Sequence, residues 1–280
     1  MVKIIDEYYK KGHKKWTVGM VNWKTTDYIY WQLKTLYDFN DPNDFDVFIF
    51  DAMFPRSQLN ILFDHCKLYQ SHKNIKFLQW ENKLEKGIRH GSELNHIVRC
   101  ADSKYFLSND PDFFWMKKGH LSFLERFLQD GCRSVGVENQ KSHDIAIWAS
   151  AYFLDDIKNL DAQASWFRCT HCSKVLYQPK QDTGWQYGLC TSNRPRKLFL
   201  IDDKVKPPFF GPYSHPYVLS KYKKVHDYFL GYSYEKKPVG VHFFRGSYGY
   251  ELTKTPLPEK WIENRNVYGQ YFYNRALESK

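Results

Sequence analysis

Two aspartates that flank a single proline, Asp110 and Asp112, have the clearest potential for chemistry in this chain. They follow a short apolar segment, residues 104–108, that is typical of a buried strand. Carboxylates at a strand end can bind Mn²⁺ or Mg²⁺ through hard oxygen ligands. Such an ion would neutralise charge that builds on a departing phosphate group. The pattern also occurs in ordinary turns, because Asp before Pro often opens one, so the surrounding elements must decide between the two interpretations.

The segments around these aspartates predict an α/β fold. From residue 17 onward, short apolar runs alternate with segments of helical periodicity, which is typical of βα units on a largely parallel sheet. Ligands of open α/β sheets lie beyond the carboxyl ends of the strands. Side chains that directly follow residues 21, 50, 80 and 108 are therefore expected to face one crevice. The predicted strands are residues 17–21, 47–50, 75–80, 104–108 and 134–137, and the predicted helices contain residues 29–37, 57–69, 94–98 and 121–128.

The composition limits the class of protein. The 280 residues are 42% hydrophobic and 18% aromatic, which suffices for one substantial core. No window reaches the roughly 18 consecutive apolar residues that a membrane-spanning helix needs, and the Lys-rich start lacks an apolar signal core. We therefore expect a soluble, cytoplasmic protein with no transmembrane segment. Six cysteines are not a disulfide framework in a chain of this length, and free thiols are expected at Cys66, Cys100 and Cys132.

The formal net charge of +10 predicts a polyanionic partner, because a positive surface potential attracts anions. Nucleic acid, an anionic membrane and a nucleotide diphosphate would each satisfy this charge. The lysines are scattered rather than gathered into one run, so we do not expect a nucleic-acid partner. The chain has no Gly-rich dinucleotide fingerprint and no phosphate-binding loop with Gly-Lys-Ser or Gly-Lys-Thr, which argues against dehydrogenases and common ATPases.

Over about residues 17–112, the order of elements and the residues at the strand ends resemble the GT-A glycosyltransferases, particularly the large inverting family two. The first strand ends in the polar turn Val21-Asn22-Trp23, and the second ends in an acid, Asp51. A Gly-bearing run over residues 87–95 then precedes the paired carboxylates of residues 105–112. The resemblance implies a GT-A (Rossmann-like) α/β fold, with a mixed sheet flanked by helices, that transfers a sugar from a nucleotide diphosphate donor to a glycan hydroxyl.

The resemblance also implies donor-binding residues in this half of the chain. Asp51 would bind the donor's base or ribose, although Ala52-Met53-Phe54-Pro55 replaces the small or polar residues usual after that acid, and Asp51 could instead cap a turn. Asn22, Arg89 and His90 would contribute to the donor site, with the last two near the phosphates. Asp110 and Asp112 would hold Mn²⁺ or Mg²⁺, and Asp110 would also contact the donor.

Beyond about residue 140 the chain is rich in aromatic residues among polar and Pro-containing turns, and we interpret this part as an acceptor-side subdomain. Asp182 lies at a predicted helix start, residues 182–190, where the family keeps its catalytic acid, so it is the candidate base; it could equally cap that helix. Trp185 could stack on a sugar ring or belong to the core, and we place it with His215 on the acceptor side. Further helices are predicted at residues 217–228 and 259–277.

A late apolar strand runs into a Gly-containing loop over residues 239–247. The family often has a histidine at a comparable place, which makes His242 a candidate third metal ligand or phosphate contact. Arg245 could clamp the diphosphate through its paired donors. A histidine in an apolar strand is also an ordinary core residue, so both interpretations of His242 stay open.

Cys169 and Cys172, with Cys190 further along, could indicate a zinc site, but a second closely spaced pair is missing.

Residues 1–280 are treated as one domain, with a nucleotide-sugar-binding half over residues 15–140 and an acceptor-binding half over 141–280. The chain also resembles glycosyltransferases of large algal viruses that build capsid glycans, which implies xylose from UDP-xylose as donor. Two alternatives are a nucleotidyltransferase with the same carboxylate pair and a nucleic-acid-binding protein; a carbohydrate-binding module would not need the paired acids.

Overall fold

The computed structural model describes residues 2–22, 25–52, 57–80, 90–138, 145–160, 166–168, 175–177, 187, 194–202, 229–243 and 259–279. The elements of the first part are β1 (Val2–Ile5), β2 (Lys14–Asn22), α1 (Thr26–Phe39), β3 (Phe45–Asp51), α2 (Ser57–Lys67), β4 (Ile75–Trp80), α3 (His90–Cys100) and β5 (Ser103–Asn109). The elements of the second part are β6 (Phe113–Trp115), α4 (His120–Gln129), β7 (Ser134–Glu138), β8 (Ile145–Phe153), α5 (Leu154–Ile157), β9 (Trp166–Arg168), β10 (Val175–Tyr177), β11 (Arg196–Ile201), β12 (Phe229–Tyr234), β13 (Lys237–Phe243) and α6 (Glu259–Glu278).

The predicted βα units form the parallel centre of the fold. Strands β4, β3, β2 and β5 lie side by side and run parallel. They belong to an 11-stranded sheet with the order β1-β4-β3-β2-β5-β8-β7-β11-β12-β13-β6. Each of the five predicted strands and each of the four predicted helices of this half is present at its predicted place. The prediction of a mixed α/β fold is therefore confirmed.

Beyond β5 the sheet is mixed, as the resemblance implies, and departs from the largely parallel pattern of the βα units. Strand β8 lies between β5 and β7 and runs antiparallel to both, and β12 is antiparallel to β11 and β13. Apolar runs such as residues 145–153 show that a strand is buried, but they do not fix its direction or its neighbours.

The strand order requires the sheet to curl. Strands β5 and β6 are joined by only three residues, 110–112, yet five other strands lie between them in the sheet order. Four peptide links span at most about 14 Å, whereas six strand spacings would take up roughly 29 Å in a flat sheet. Strand β11 joins the two parts of the sheet, since its residues 196–199 pair with β7 while Leu200 and Ile201 pair with β12. The short connection between β5 and β6 therefore lies where the curled sheet returns on itself.

Two buried clusters support this arrangement. The larger one fills the space between the parallel strands and their helices, and it includes the wholly buried thiol of Cys66, whose pKa is raised by burial. The smaller one lies where α1, α6, β6 and β13 meet and contains Tyr28, Trp31, Phe114, Met116, Val241 and Phe272. Helix α6 approaches α1 closely, since a Cβ added to Gly269 would lie 2.2 Å from the Trp31 ring. Among the described helices, none is long and apolar enough to cross a membrane.

Candidate cation site

Asp110 and Asp112 lie in the turn between β5 and β6, which the Phe113 amide closes by donating to the Asp110 carbonyl oxygen over 3.0 Å. Strand β6 then pairs antiparallel with β13, and Phe113 stands opposite His242 in that register. The pairing brings His242 beside the turn, with 3.3 Å between His242 Nε2 and Asp112 Oδ1. The structure therefore unites three side chains that the sequence places far apart.

The three side chains form a group that fits a divalent cation. Asp110, Asp112 and His242 each offer one ligand atom, and these atoms all lie within 4.8 Å of one another. The side chains of Asp112 and His242 are only 11% and 5% exposed, whereas that of Asp110 is 23% exposed. Two carboxylates and one imidazole suit Mn²⁺ better than Mg²⁺, which prefers an all-oxygen shell and retains its waters. The donor set of the described residues therefore fits Mn²⁺, one of the two metals that the resemblance implies.

His90 contacts the same group from the first turn of α3. Its Nε2 lies 3.5 Å from Asp110 Oδ1, and its side chain is about one third exposed. The amino end of a helix favours negative charge, because unsatisfied backbone N–H groups point outward there. An anion beside Asp110 would thus meet both an imidazole and a helix terminus. This placement supports the prediction that His90 belongs to a phosphate site, which stays a prediction.

Asn22 and Asp51 lie on the same edge of the sheet as the paired aspartates. They end neighbouring parallel strands and stand opposite each other in register. Asn22 Nδ2 donates to Asp51 Oδ1 over 2.9 Å, and its Oδ1 accepts from the backbone N–H and the hydroxyl of Thr25. Both side chains are buried. The hydrogen bonds of Asn22 go to Asp51 and Thr25, so Asn22 orients the Asp51 carboxylate. Direct contact of either residue with a sugar-nucleotide donor stays a prediction.

A buried network of side-chain amides holds the turn between β5 and β6. Sequence analysis missed this network. Gln32 of α1 donates through Nε2 to the carbonyl oxygens of Pro111, at 3.0 Å, and Phe113. Gln32 Oε1 accepts from Asn109 Nδ2 over 3.1 Å, and Asn109 Oδ1 accepts from Trp115 Nε1 over 2.7 Å. The signal that could have revealed Gln32 is a polar residue on the apolar face that carries Ile29, Leu33 and Leu36.

Two buried titratable groups lie near the site, one on α3, which carries His90, and one on α4, which contacts β6. Glu93, in the first turn of α3, accepts from Trp80 Nε1 over 3.2 Å, and burial raises the pKa of its carboxyl. His120, at the start of α4, stacks on Trp115 with 5.5 Å between ring centroids. Burial lowers the pKa of His120 to about 3, so its imidazole is neutral at physiological pH. His120 therefore adds no positive charge behind the amide network.

Several predicted site residues lie outside the described residues. They are Arg89, Asp182, Trp185, His215 and Arg245, together with Cys169, Cys172 and Cys190 of the zinc interpretation and the predicted helices over 182–190 and 217–228. Their roles stay predictions. Within the described residues, the free cysteines are the three that we expected: Cys66 is buried, and Cys100 and Cys132 are partly buried.

Comparison with known proteins places the fold. No protein-family model matches the sequence, and no curated protein sequence matches it. Among solved structures, the mannosyltransferase PcManGT from Pyrobaculum calidifontis, in complex with GDP-Man and Mn²⁺, is similar with a TM-score of 0.51 and 9% identity over 95% of this chain and 74% of that chain. A likeness at this identity shows a shared fold alone, and it agrees with the α/β class that the sequence predicts.

Two further similar structures have lower scores. TarS from S. aureus, residues 1–349, has a TM-score of 0.48 and 13% identity, over 94% of this chain and 70% of that one. GlyE from Streptococcus pneumoniae TIGR4 has a TM-score of 0.47 and 12% identity, over 95% of this chain and 64% of that one. Against the longer S. aureus TarS chain, the match spans 35% of that chain's length. The mixed α/β sheet flanked by helices is therefore a fold that this chain shares with the mannosyltransferase, whose score is the highest of the three.

Proposed function

We propose that this protein is a metal-assisted glycosyltransferase that moves a sugar from a nucleotide diphosphate donor to a glycan hydroxyl. One observation carries the proposal: Asp110, Asp112 and His242 converge within 4.8 Å at the turn after β5, which ends the row of four parallel strands. The fold it shares with a mannosyltransferase holding GDP-Man and Mn²⁺ supports the same conclusion. In α/β sheets this edge is where ligands bind.

The described residues divide the work of donor binding in this proposal. Asp110, Asp112 and His242 hold the cation, which when bound offsets the charge that develops on the departing nucleotide diphosphate. His90 binds a phosphate oxygen from the amino end of α3. Asp51, held by Asn22, accepts hydrogen bonds from the base or ribose, since a carboxylate is an acceptor for N–H and hydroxyl groups. The sheet edge fixes the distance between these two ends of the donor.

The acceptor side of the proposal rests on the sequence. Asp182 takes the proton of the acceptor hydroxyl as its oxygen attacks the anomeric carbon from the face opposite the phosphate, which inverts the configuration. Trp185 and His215 bind the acceptor glycan, and Arg89 and Arg245 bind the diphosphate. Residues 15–140 form the nucleotide-sugar-binding half and residues 141–280 the acceptor-binding half. The donor in this proposal is a UDP-sugar. The sugar is xylose, because the resemblance to algal-virus glycosyltransferases implies UDP-xylose.

The test is a thermal-shift panel of UDP-, GDP- and CMP-sugars, UDP-xylose included, with and without Mn²⁺. A ligand bound only by the folded protein raises its melting temperature, by mass action. We expect UDP-sugars to raise it in the presence of Mn²⁺ and to release UDP on incubation with glycan acceptors. Stabilisation by nucleoside triphosphates with release of pyrophosphate would instead identify a nucleotidyltransferase. No stabilisation by any sugar nucleotide would overturn the proposal.

A further inference from the structure

We infer that Gln32 is a positioning residue for the cation site: it holds the main chain on both sides of Asp112 and so sets where the Asp112 carboxylate meets His242. The inference rests on the proposed function, because it concerns the same cation. Gln32 is not a ligand in this arrangement, because its side-chain oxygen accepts from Asn109 and its nitrogen donates to the turn. It acts through the backbone of the turn.

The hydrogen bonds of Gln32 bracket Asp112. Its two amide hydrogens go to two carbonyl oxygens, that of Pro111 before Asp112 and that of Phe113 after it. The Pro111 carbonyl lies in the peptide plane before the Asp112 Cα, so its hydrogen bond fixes that plane, and the bond to the Phe113 carbonyl holds the first residue of β6. The remaining bond of the turn, from the Phe113 amide to the Asp110 carbonyl, spans the same three residues. The plane after the Asp112 Cα carries the Phe113 N–H, so this bond fixes it, and both planes that set the direction of the Asp112 side chain are held.

The orientation of Gln32 is itself determined by the network. The indole N–H of Trp115 can only donate, so Asn109 must present its oxygen to Trp115 and its nitrogen to Gln32. Gln32 must therefore present its oxygen to Asn109 and both amide hydrogens to the turn. Gln32, Asn109 and Trp115 are all buried, so water does not compete for these bonds. One assignment of donors and acceptors satisfies the whole chain of contacts.

Burying the polar amide of Gln32 costs free energy unless every polar atom finds a hydrogen-bond partner, a cost that an apolar side chain would not have. Gln32 lies on the buried face of α1, where an apolar residue would pack without needing partners. Helix α1 is anchored on its other side by α6, with Trp31 Nε1 donating to Asn266 Oδ1 over 3.1 Å. The turn is therefore held against a helix that is itself held in place. This is the arrangement expected where a carboxylate must be pre-organised for a ligand.

The experiment measures Mn²⁺ binding directly, with the metal alone as probe. Gln32→Met keeps the length of the side chain and removes its hydrogen bonds to the turn. Titration followed by the electron paramagnetic resonance signal of free Mn²⁺ is expected to show binding about 10- to 100-fold weaker than wild type. The matched control is Thr35→Val on the same helix face: Thr35 is buried and donates to the Trp31 carbonyl oxygen at 2.7 Å, away from the turn.

Three outcomes decide between the possibilities. Weakened Mn²⁺ binding in Gln32→Met at a melting temperature similar to that of Thr35→Val supports positioning, because a merely structural role would lower stability in both and leave the affinity of folded protein unchanged. Equal Mn²⁺ affinity in Gln32→Met and wild type overturns the inference and leaves the proposed function intact. Wild-type protein that binds no Mn²⁺ overturns the cation part of the proposed function itself. If Gln32→Met does not fold, Trp115→Phe removes the last donor of the network together with part of the buried ring that stacks on His120. It is expected to show a smaller loss in the same titration, and an unchanged affinity there would contradict the inference.

Discussion

His242 Nε2 lies 3.3 Å from Asp112 Oδ1 because β13 pairs with β6 directly beside the turn that carries Asp112. The contact joins the late apolar strand to the aspartate pair, two features that are separate candidates in the sequence. It also gives the site a mixed donor set, with nitrogen beside two carboxylates. A metal that accepts nitrogen ligands should therefore be preferred there.

Replacing His242 with alanine is expected to weaken Mn²⁺ binding more than Mg²⁺ binding. Imidazole is a good ligand for transition metals and a poor one for Mg²⁺, which demands oxygen and water. Loss of the imidazole should cost Mn²⁺ on the order of tenfold or more in affinity, since even the loss of a group that only orients a ligand costs that much. Calorimetric titration with each metal measures the ratio. An unchanged preference for Mn²⁺ would show that His242 is a core residue and not a ligand.

Replacing Asp112 with asparagine is expected to abolish stabilisation of the protein by Mn²⁺. The change keeps the shape of the side chain and removes the charge that balances the cation. At a Mn²⁺ concentration about 100 times the dissociation constant, the wild type gains roughly 2.7 kcal/mol of unfolding free energy from binding. Asp64→Asn serves as control, because Asp64 is exposed beside Lys67 on α2. Equal Mn²⁺ stabilisation in both variants would contradict the prediction.

Replacing Asp51 with asparagine is expected to weaken UDP binding and to leave Mn²⁺ binding of the nucleotide-free protein as it is. A hydrogen bond to a charged group contributes about 1.5–3 kcal/mol, or roughly 10- to 100-fold in affinity. Asp44→Asn is a suitable control, since Asp44 precedes the same strand and its side chain is half exposed. Fluorescence titration with UDP measures both. If UDP binds Asp51→Asn as tightly as wild type, Asp51 serves only as a partner of Asn22.

Asp46 predicts a specific pH dependence of stability. Burial raises the pKa of Asp46 to about 7, while its hydrogen bond from Tyr9 opposes the shift. Because the folded-state pKa lies above the unfolded one, the folded state binds the proton more tightly, and the contribution of Asp46 to stability is lost as pH rises from about 4 to about 7. The shift corresponds to roughly 4 kcal/mol.

The variant Asp46→Asn isolates this effect. It cannot titrate, so the difference in unfolding free energy between variant and wild type is expected to shift in favour of the variant between pH 4 and pH 7 and then to stay level. Urea unfolding at pH 5, 6, 7 and 8 measures it. A difference that does not change across this range would show that Asp46 is ionised in the folded protein throughout.

At Gly269, the close packing of α6 against α1 leaves no room for a larger side chain. A Cβ at this position would lie 2.2–2.5 Å from three atoms of the Trp31 ring, so Gly269→Ala requires one of the helices to move. We expect a loss of about 1–3 kcal/mol in unfolding free energy, as for other overpacked cores. Gly12→Ala is the control, because no atom lies within 4 Å of its added Cβ. Equal stability of the two variants would mean that α6 packs loosely.

Elements set by local periodicity could be predicted from the sequence. The strand at residues 75–80 has the bounds of β4, and the helix predicted at 259–277 ends within one residue of α6. Such elements are determined by patterns within a few residues of each other. Strand β11 was not predicted, because its partners β7 and β12 lie far along the chain. Strand β12 was not predicted either, although its partner β13 follows it after two residues.

The candidate site divides in the same way. The aspartate pair, His90 and His242 carry recognisable chemistry, so sequence analysis could propose them, and the structure places them together. Gln32 stands out in the sequence only as a polar residue on an apolar helix face, and its role cannot be read there, because its contacts with Pro111 and Phe113 join residues 79 and 81 positions apart. Its side chain has no chemistry of its own. A residue that acts by holding another segment becomes visible only when the fold brings the two together.

The strand order links the geometry of the candidate cation site to strands that lie far from it. Strands β5 and β6 are connected directly by residues 110–112 and also indirectly, through the hydrogen-bonded row of β8, β7, β11, β12 and β13. Because both connections link the same two strands, a change of twist or spacing in one of the intervening strands would shift β6 and β13 relative to β5. Substitutions in β7 or β12 that leave every nearby side chain untouched would thus alter the separation of Asp112 and His242. Under the proposed function, the affinity for Mn²⁺ would therefore report changes in strands that lie far from the candidate ligands.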